Sequence, residues 1–223
     1  MSLLVKVIIV SQGRPQSLIL TLDALRYQTE PEFEVIVVGG AEERRAVIAA
    51  GFSGEVNLVD FHQSNIAAAR NLGISAANGD IIAFLDDDAV PGPGWIRNLT
   101  KALTATNADL AAGFVRGPDG IGFQFSGAFL LADATHEPIG NTTDVRAFDA
   151  LSGKAVEAMG TNVAYTRAAL ESSGGFDPAF AYFLDESDLN WRLARAGATA
   201  VVAPRAQVVH ALATSPRRSQ DRV

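Results

Sequence analysis

Short β-branched runs alternate with longer Ala/Leu-rich segments of helical spacing through the first half of this 223-residue chain, and that rhythm is the strongest constraint on its fold. A strand followed by a helix returns beside the first strand in the same direction, so the pattern predicts an α/β fold with a mostly parallel sheet flanked by helices. The candidate strands are Val5 to Val10, Glu34 to Val38, Val56 to Val59 and Ile81 to Leu85. The first and fourth are apolar nearly throughout, as strands covered on both faces are. Between them, Leu18, Leu22 and Leu25 mark one helix, Glu42 to Ala50 a second, and Ile66 to Ala77 an Ala-rich third. Another helix is expected from Trp95 to about Ala105.

Beyond Asp109 the rhythm changes. Gly113, Gly117, Gly120, Gly122 and Gly127 punctuate aromatic and β-branched residues, which predicts a smaller antiparallel portion in the C-terminal half. The polar stretch from Asp133 to Ala158 reads as a mobile loop or lid, or as an ordinary surface excursion. Order is expected again at Met159 to Thr166, in a helix from about Ser187 to Ala196, in a strand at Ala200 to Val202, and at Val208 and Val209 before His210. The tail from Ser215 to Val223 is expected to fray.

At 48% hydrophobic and 19% charged, the chain suits one sizeable core, read as one domain over residues 1–223. No apolar stretch approaches the roughly 20 residues of a membrane span, and no basic segment precedes a signal-like apolar core. The expectation is a cytoplasmic protein with no integral membrane segment. A formal net charge of −7 argues against a general nucleic-acid surface. With no cysteine, any metal would be held by carboxylates and histidine, a donor set suited to Mg²⁺ or Mn²⁺.

The candidate chemistry begins with Asp86, Asp87 and Asp88, which follow the apolar run Ile81 to Leu85. Like charges about 4 Å apart repel by roughly 4 kcal/mol at an effective dielectric near 20, so the fold must relieve them. A divalent cation does so, and so does a turn or cap that keeps them apart. In an extended chain Asp86 and Asp88 point to one side and Asp87 to the other. Ligands of open α/β sheets bind beyond the carboxyl ends of the strands, where this triplet, Ser11, Gln12, Gly39 and Gly40 all fall. Arg70 and Asn71 lie in the third helix pattern; the arginine either grips a phosphate or base, or pairs with a nearby acid. A second acidic cluster, Asp185, Glu186 and Asp188, follows the aromatic residues Phe180, Tyr182 and Phe183. It is either a set of first-turn helix carboxylates or the source of a general base whose pKa an apolar wall raises. His210 is either structural or a further metal ligand, while His62 and His136 read as surface residues.

Taken in order, these residues resemble the inverting nucleotide-sugar glycosyltransferase family 2, of the GT-A fold, over about residues 4 to 210. The similar segments are Val7 to Pro15 (VIIVSQGRP), Gln28 to Val38, Ala67 to Ala76 (AAARNLGISA) and Gly79 to Trp95 (GDIIAFLDDDAVPGPGW). They continue with Gly160 to Ala164 (GTNVA), Gly174 to Asp177 (GGFD) and Asp185 to Leu193 (DESDLNWRL). The resemblance implies a nucleotide-sugar-binding half over about residues 1–110 and an acceptor-side half over about 111–212. It implies that Asp86 and Asp87 face the ribose and diphosphate, and that Asp88 coordinates the metal; Asp86 and His210 are the further metal ligands expected beside it. Ser11, Gln12, Arg14, Arg70 and Asn162 would contact substrate. Asp185 and Glu186 occupy the family's Glu-Asp pair with the residue types exchanged, so Glu186 or Asp185 is the base, and Asp188 orders the helix start or contacts the acceptor. Its partners would be a nucleotide-sugar donor and a glycan or other hydroxyl acceptor; its cofactor, Mg²⁺ or Mn²⁺.

One departure stands out. Gly39 and Gly40 replace the acids that usually hold the base or ribose, leaving Glu42, Glu43 or Asp60 to substitute, or the diphosphate and metal to hold the donor. Loss of donor binding would leave a catalytically silent relative; a second reading is a nucleotide-sugar or glycan-binding protein that kept the fold and lost turnover. A metal-dependent nucleotidyl- or phosphotransferase is a third reading, weakened by the lack of a Walker-type phosphate loop and of a basic cluster after the first strand.

Overall fold

The computed structural model describes residues 3–29, 32–140, 143–148 and 153–210. The first half alternates as its sequence predicts: β1 (Val5–Val10), α1 (Pro15–Leu25), β2 (Phe33–Gly39), α2 (Ala41–Ala49), β3 (Val56–Asp60), α3 (Ile66–Ala76) and β4 (Ile81–Leu85). Pro15 opens α1, where its fixed φ and missing N–H cost nothing. Asn65 caps α3 by accepting a 2.9 Å hydrogen bond from the Ala68 N–H. Then follow β5 (Ala89–Pro91), α4 (Trp95–Thr106), β6 (Leu110–Arg116), β7 (Phe123–Phe125), β8 (Ala128–Leu131), β9 (His136–Pro138), β10 (Arg146–Phe148), β11 (Lys154–Glu157) and β12 (Asn162–Thr166). The last elements are α5 (Arg167–Ser173), α6 (Asp185–Arg195) and β13 (Ala200–His210).

The main sheet runs β10-β13-β6-β12-β4-β1-β2-β3, and β5 and β7 attach to β13 and β6. Strands β3, β2, β1 and β4 pair in parallel, as do β6 and β13, with β12 inserted antiparallel between β4 and β6. From β1 the chain winds outward through β2 and β3, then returns to place β4 on the other side of β1. That reversal opens a crevice beyond the carboxyl ends of β1 and β4, which is where the acidic triplet emerges.

Alternation along the strands divides the core. Val5, Val7 and Ile9 of β1 and Ile81, Ala83 and Leu85 of β4 pack on one face with Leu18 and Leu22 of α1. Ile8, Ile82 and Phe84 pack on the other with Ala67 and Ala69 of α3 and Leu189 and Leu193 of α6. The same phase continues past Leu85, so Asp87 turns toward α1 and Asp86 toward α3.

Three expectations change. The polar stretch from Asp133 to Ala158 is not a structureless loop in its described residues. There β9 and β11 flank β8 in a three-stranded antiparallel sheet, and β10 pairs with the edge of β13. The two short segments expected near the end are one strand, β13, whose register slips between Ala203 and Gln207. Pro204, which has no N–H for the ladder, lies in that irregularity. Helix α6 begins at Asp185, not Ser187, so its acids occupy the first turn, where the helix dipole favours them. The tail lies outside the described residues. No helix among the described residues is long and apolar enough to cross a membrane.

Candidate active site

Asp86 and Asp88 of the segment just after β4 and His210 at the end of β13 come together, with one donor atom from each lying within 4.8 Å of the others. His210 Nε2 is 3.0 Å from Asp88 Oδ1 and 3.8 Å from Asp86 Oδ2. Two carboxylate oxygens and one imidazole nitrogen form a hard-to-borderline donor set that fits Mg²⁺ or Mn²⁺. Thr161 holds Asp86 by donating its hydroxyl at 2.5 Å to Oδ2. Arg14 relieves the rest of the triplet, with Nη2 at 2.5 Å from Asp87 Oδ1 and Nη1 at 3.1 Å from Asp88 Oδ2.

Asp87 is turned inward, away from solvent. Its side chain is fully buried, it accepts the Ser11 hydroxyl at 2.6 Å, and its carbonyl accepts Thr21 Oγ1 at 3.0 Å, so it anchors the β1–α1 turn. Burial pushes its carboxyl up to about 7 against the pull of Arg14.

Across the crevice Arg70 is the hub of the second cluster. Its side chain is only 4% exposed; Nη1 pairs with Asp185, and Nη2 lies 2.9 Å from Glu186 Oε1 and 3.9 Å from Asp86 Oδ1. The guanidinium also packs 5.2 Å from the Phe176 ring centroid. Arg70 is therefore committed to acids of its own chain rather than to a phosphate or base. Glu186 also accepts the Gly160 N–H at 3.0 Å. A Cβ at position 160 would overlap both Arg70 Nη2 and Glu186 Oε1, so this approach requires glycine.

The two acids of the pair are not equivalent. Asp185 is buried, and burial together with the neighbouring Glu186 charge pushes its carboxyl up despite Arg70. Glu186 keeps about a quarter of its side chain exposed, and although burial opposes it, the Arg70 charge holds its carboxyl below the usual range, so it stays ionised. Asp185 is the member shut away from solvent, and Glu186 the member that reaches it.

Two expected contacts have other work. Asn162 is completely buried: it accepts the Trp95 indole N–H at 2.7 Å and donates to Phe114 O and Ala206 O at 2.8 Å each, tying β6, β12 and β13 together. Its amide has nothing left for a substrate; Thr161, one residue earlier, is the member of GTNVA that reaches the site. Asp188 pairs with Arg192 at 2.7 Å, and Arg192 in turn donates to Ser173 O and Gly175 O, which ties Asp188 to its own helix and to the turn after α5.

Beside the crevice, a cavity of about 370 Å³ is lined by Ser11, Gln12, Arg14, Phe61, Asn65 and Tyr182 among others. None of Glu42, Glu43 and Asp60 lines it. Glu43 is spent on backbone, accepting N–H groups of Gly13 at 2.7 Å, Arg14 at 3.3 Å and Gly40 at 3.0 Å, while Asp60 pairs with Arg44 at 2.7 Å. A Cβ at Gly39 would lie 2.9 Å from Ser11 O and 3.1 Å from Glu43 Cβ, so tucking Glu43 under the turn excludes an acid at 39. His62 and His136 are exposed, as expected.

Close to α6, Glu157 is 8% exposed; Oε1 accepts Ser187 Oγ at 2.8 Å, and Oε2 is buried without a hydrogen-bond partner. Burial raises its pKa, so the folded state binds more protons than the unfolded chain just above pH 4.5, and stability falls as pH rises through that window. Glu157→Gln removes the charge and keeps an acceptor for Ser187. It is expected to stabilise the protein by about 1 kcal/mol at pH 8 and by less at pH 5, read from urea midpoints at the two pH values.

A mostly parallel sheet flanked by helices, with acids and a histidine gathered at its carboxyl edge, is the architecture that the comparisons with known proteins recognise. The profile described as Glycosyl transferase family 2 matches residues 6–174, and the chain belongs to that family. It is similar to the glycosyltransferase AglE of Haloferax volcanii, 34% identical over 118 residues that cover 50% of this chain and 39% of AglE. It is also similar to the pre-mycofactocin glycosyltransferase of Mycobacterium tuberculosis, 30% identical over 156 residues, 67% of this chain and 30% of that protein. The chain thus spans well under half the length of either relative. Among solved structures, the mannosyltransferase PcManGT of Pyrobaculum calidifontis, in complex with GDP-Man and Mn²⁺, aligns over 97% of this chain and 59% of its own at 19% identity and a TM-score of 0.69. TarS of S. aureus (residues 1–349), in complex with UDP, aligns over 94% and 60% at 15% identity, also with a TM-score of 0.69. These likenesses are of fold, the GT-A fold expected from the sequence.

Proposed function

We propose that this chain transfers a sugar from a nucleoside diphosphate donor to a hydroxyl of a glycan or other acceptor, with inversion at the anomeric carbon, in polysaccharide or glycoconjugate synthesis. The observation that carries the reading is the convergence of the Asp86–Asp88–His210 donor set and the Arg70-held acids on one crevice, beside a cavity of about 370 Å³. The donor and Mn²⁺ in PcManGT and the UDP in TarS support it by analogy of fold.

Mg²⁺ or Mn²⁺ held by Asp88, Asp86 and His210 would supply charge neutralisation for the departing diphosphate. Arg14 and the cavity residues orient the nucleotide. Glu186, the partly exposed member of its pair, takes the proton of the acceptor hydroxyl, while Arg70 and the Gly160 N–H hold its carboxylate in place. Asp185 is a partner of Arg70 in this scheme. Inversion requires one base and no covalent intermediate.

The absence of a carboxylate from the cavity lining favours a second reading, a silent relative that binds without turnover. A thermal-shift panel of UDP-, GDP-, dTDP- and CMP-sugars, each with and without Mn²⁺, tests the donor class. One nucleotide should raise the melting temperature in a Mn²⁺-dependent manner, and Asp88→Ala should abolish that dependence. If no nucleotide shifts the wild type, donor binding is refuted; a shift without donor hydrolysis or transfer selects the silent relative.

A further inference from the structure

His210 presents its second ring nitrogen, Nδ1, to Gln124 Oε1 at 3.1 Å. Gln124 belongs to β7 and reaches His210 through a backbone irregularity. Val115 of β6 pairs with Phe125 and the next residue, Arg116, pairs with Phe123, so Gln124 between them has no partner across the ladder. An unpaired residue of this kind is a β-bulge, which redirects its side chain and is common beside functional sites. The bulge is pinned: Arg116 stacks 4.4 Å from the Phe123 ring centroid, donates from Nε to Gln207 Oε1 at 2.9 Å, and donates from Nη1 to Ile121 O at 2.6 Å.

A neutral imidazole carries one N–H. When Nδ1–H donates to Gln124, the Nε2 lone pair is directed at the place where Asp86 and Asp88 converge. The opposite tautomer would aim a hydrogen at Asp88 and withdraw the nitrogen from any cation. A ligand histidine generally has its tautomer set by the hydrogen bond of its other nitrogen. We propose that Gln124 is a positioning residue, held in a β-bulge, that fixes His210 as the Nδ1–H tautomer and so prepares Nε2 as the third metal donor. This rests on the metal reading of Asp86, Asp88 and His210 given above.

Gln124 is exposed, so replacing it leaves the core intact. Mn²⁺ affinity is measured by electron paramagnetic resonance titration of wild type, Gln124→Met, Gln124→Glu and His210→Ala. Gln124→Met is expected to weaken Mn²⁺ binding about tenfold, the lower end for such a partner, and Gln124→Glu, which restores an acceptor, is expected to return it to wild type or tighter. In ¹⁵N-histidine spectra of the metal-free protein, His210, assigned by its loss in His210→Ala, should show Nδ1–H in the wild type and shift toward Nε2–H in Gln124→Met. Equal Mn²⁺ affinity in wild type and Gln124→Met, with a clear loss in His210→Ala, overturns the role of Gln124 alone. No loss in His210→Ala overturns the metal reading of His210, and this proposal with it.

Discussion

Glu186→Gln is expected to lower the sugar-transfer rate by about 10²–10⁴-fold, the usual worth of a positioned general base, while leaving metal-dependent binding of the donor in place. The substitution is nearly isosteric. An amide oxygen at the same position still accepts the Gly160 N–H and still faces Arg70, so the crevice keeps its shape and loses only the group that takes the proton. Asp185→Asn is the control, because Asp185 is buried against Arg70 and has no open path to an acceptor. Single-turnover transfer assays on the two variants separate the roles. A Glu186→Gln enzyme that turns over at the wild-type rate would refute the assignment, and a larger loss in Asp185→Asn would move the base to Asp185.

Arg70→Met should destabilise the folded protein by about 3–5 kcal/mol, the scale for removing one partner of a buried ionic group. The arginine is 4% exposed and faces Asp185, Glu186 and, more distantly, Asp86, so its removal leaves at least two carboxylates facing each other in a poorly solvated site. Repulsion and burial then raise the pKa of both, so they take up protons more readily than in the unfolded chain. The deficit should therefore be greatest near pH 8 and shrink toward pH 5. Arg70→Lys should recover only part of the loss, because an ammonium cannot span Asp185 and Glu186 as the planar fork does. Urea denaturation of the three proteins at both pH values reads this directly. A deficit below 1 kcal/mol in Arg70→Met would mean that the acids relax into solvent and that Arg70 is not the hub.

Much of the frame was legible because it is encoded locally. Strand Ile81 to Leu85 and the starts of the helices at Ile66 and Trp95 fall where apolar spacing and capping residues place them. The split of the acidic triplet followed from the two-residue period of an extended chain. Segments whose identity depends on a partner were not legible: β9 and β11 are short and polar, and become strands only by pairing with β8. In the site, Asn162 was expected to contact substrate from the GTNVA resemblance, yet the indole of Trp95, 67 residues earlier, and two strand carbonyls engage its amide in the core. Nothing local marks Gln124, since its role depends on a bulge opposite β6. Thr161 and Gly160 carried a weak signal, a small residue beside a hydroxyl within GTNVA.

By itself the sequence determined the order of elements, the parallel first half, the carboxyl edge where the acids emerge, and the family. These follow from periodicity and short-range spacing, which each segment carries regardless of its neighbours. Only the tertiary structure decided which acids face the crevice, that Arg70 serves carboxylates rather than a ligand, and that Glu43 is drawn under the β1–α1 turn. The contacts that assign those roles join residues 115 positions apart for Arg70 and Asp185, 122 for Asp88 and His210, and 30 for Gly13 and Glu43. A carboxylate acts as ligand, base or anchor according to its burial and the cations beside it, and both are set by long-range packing.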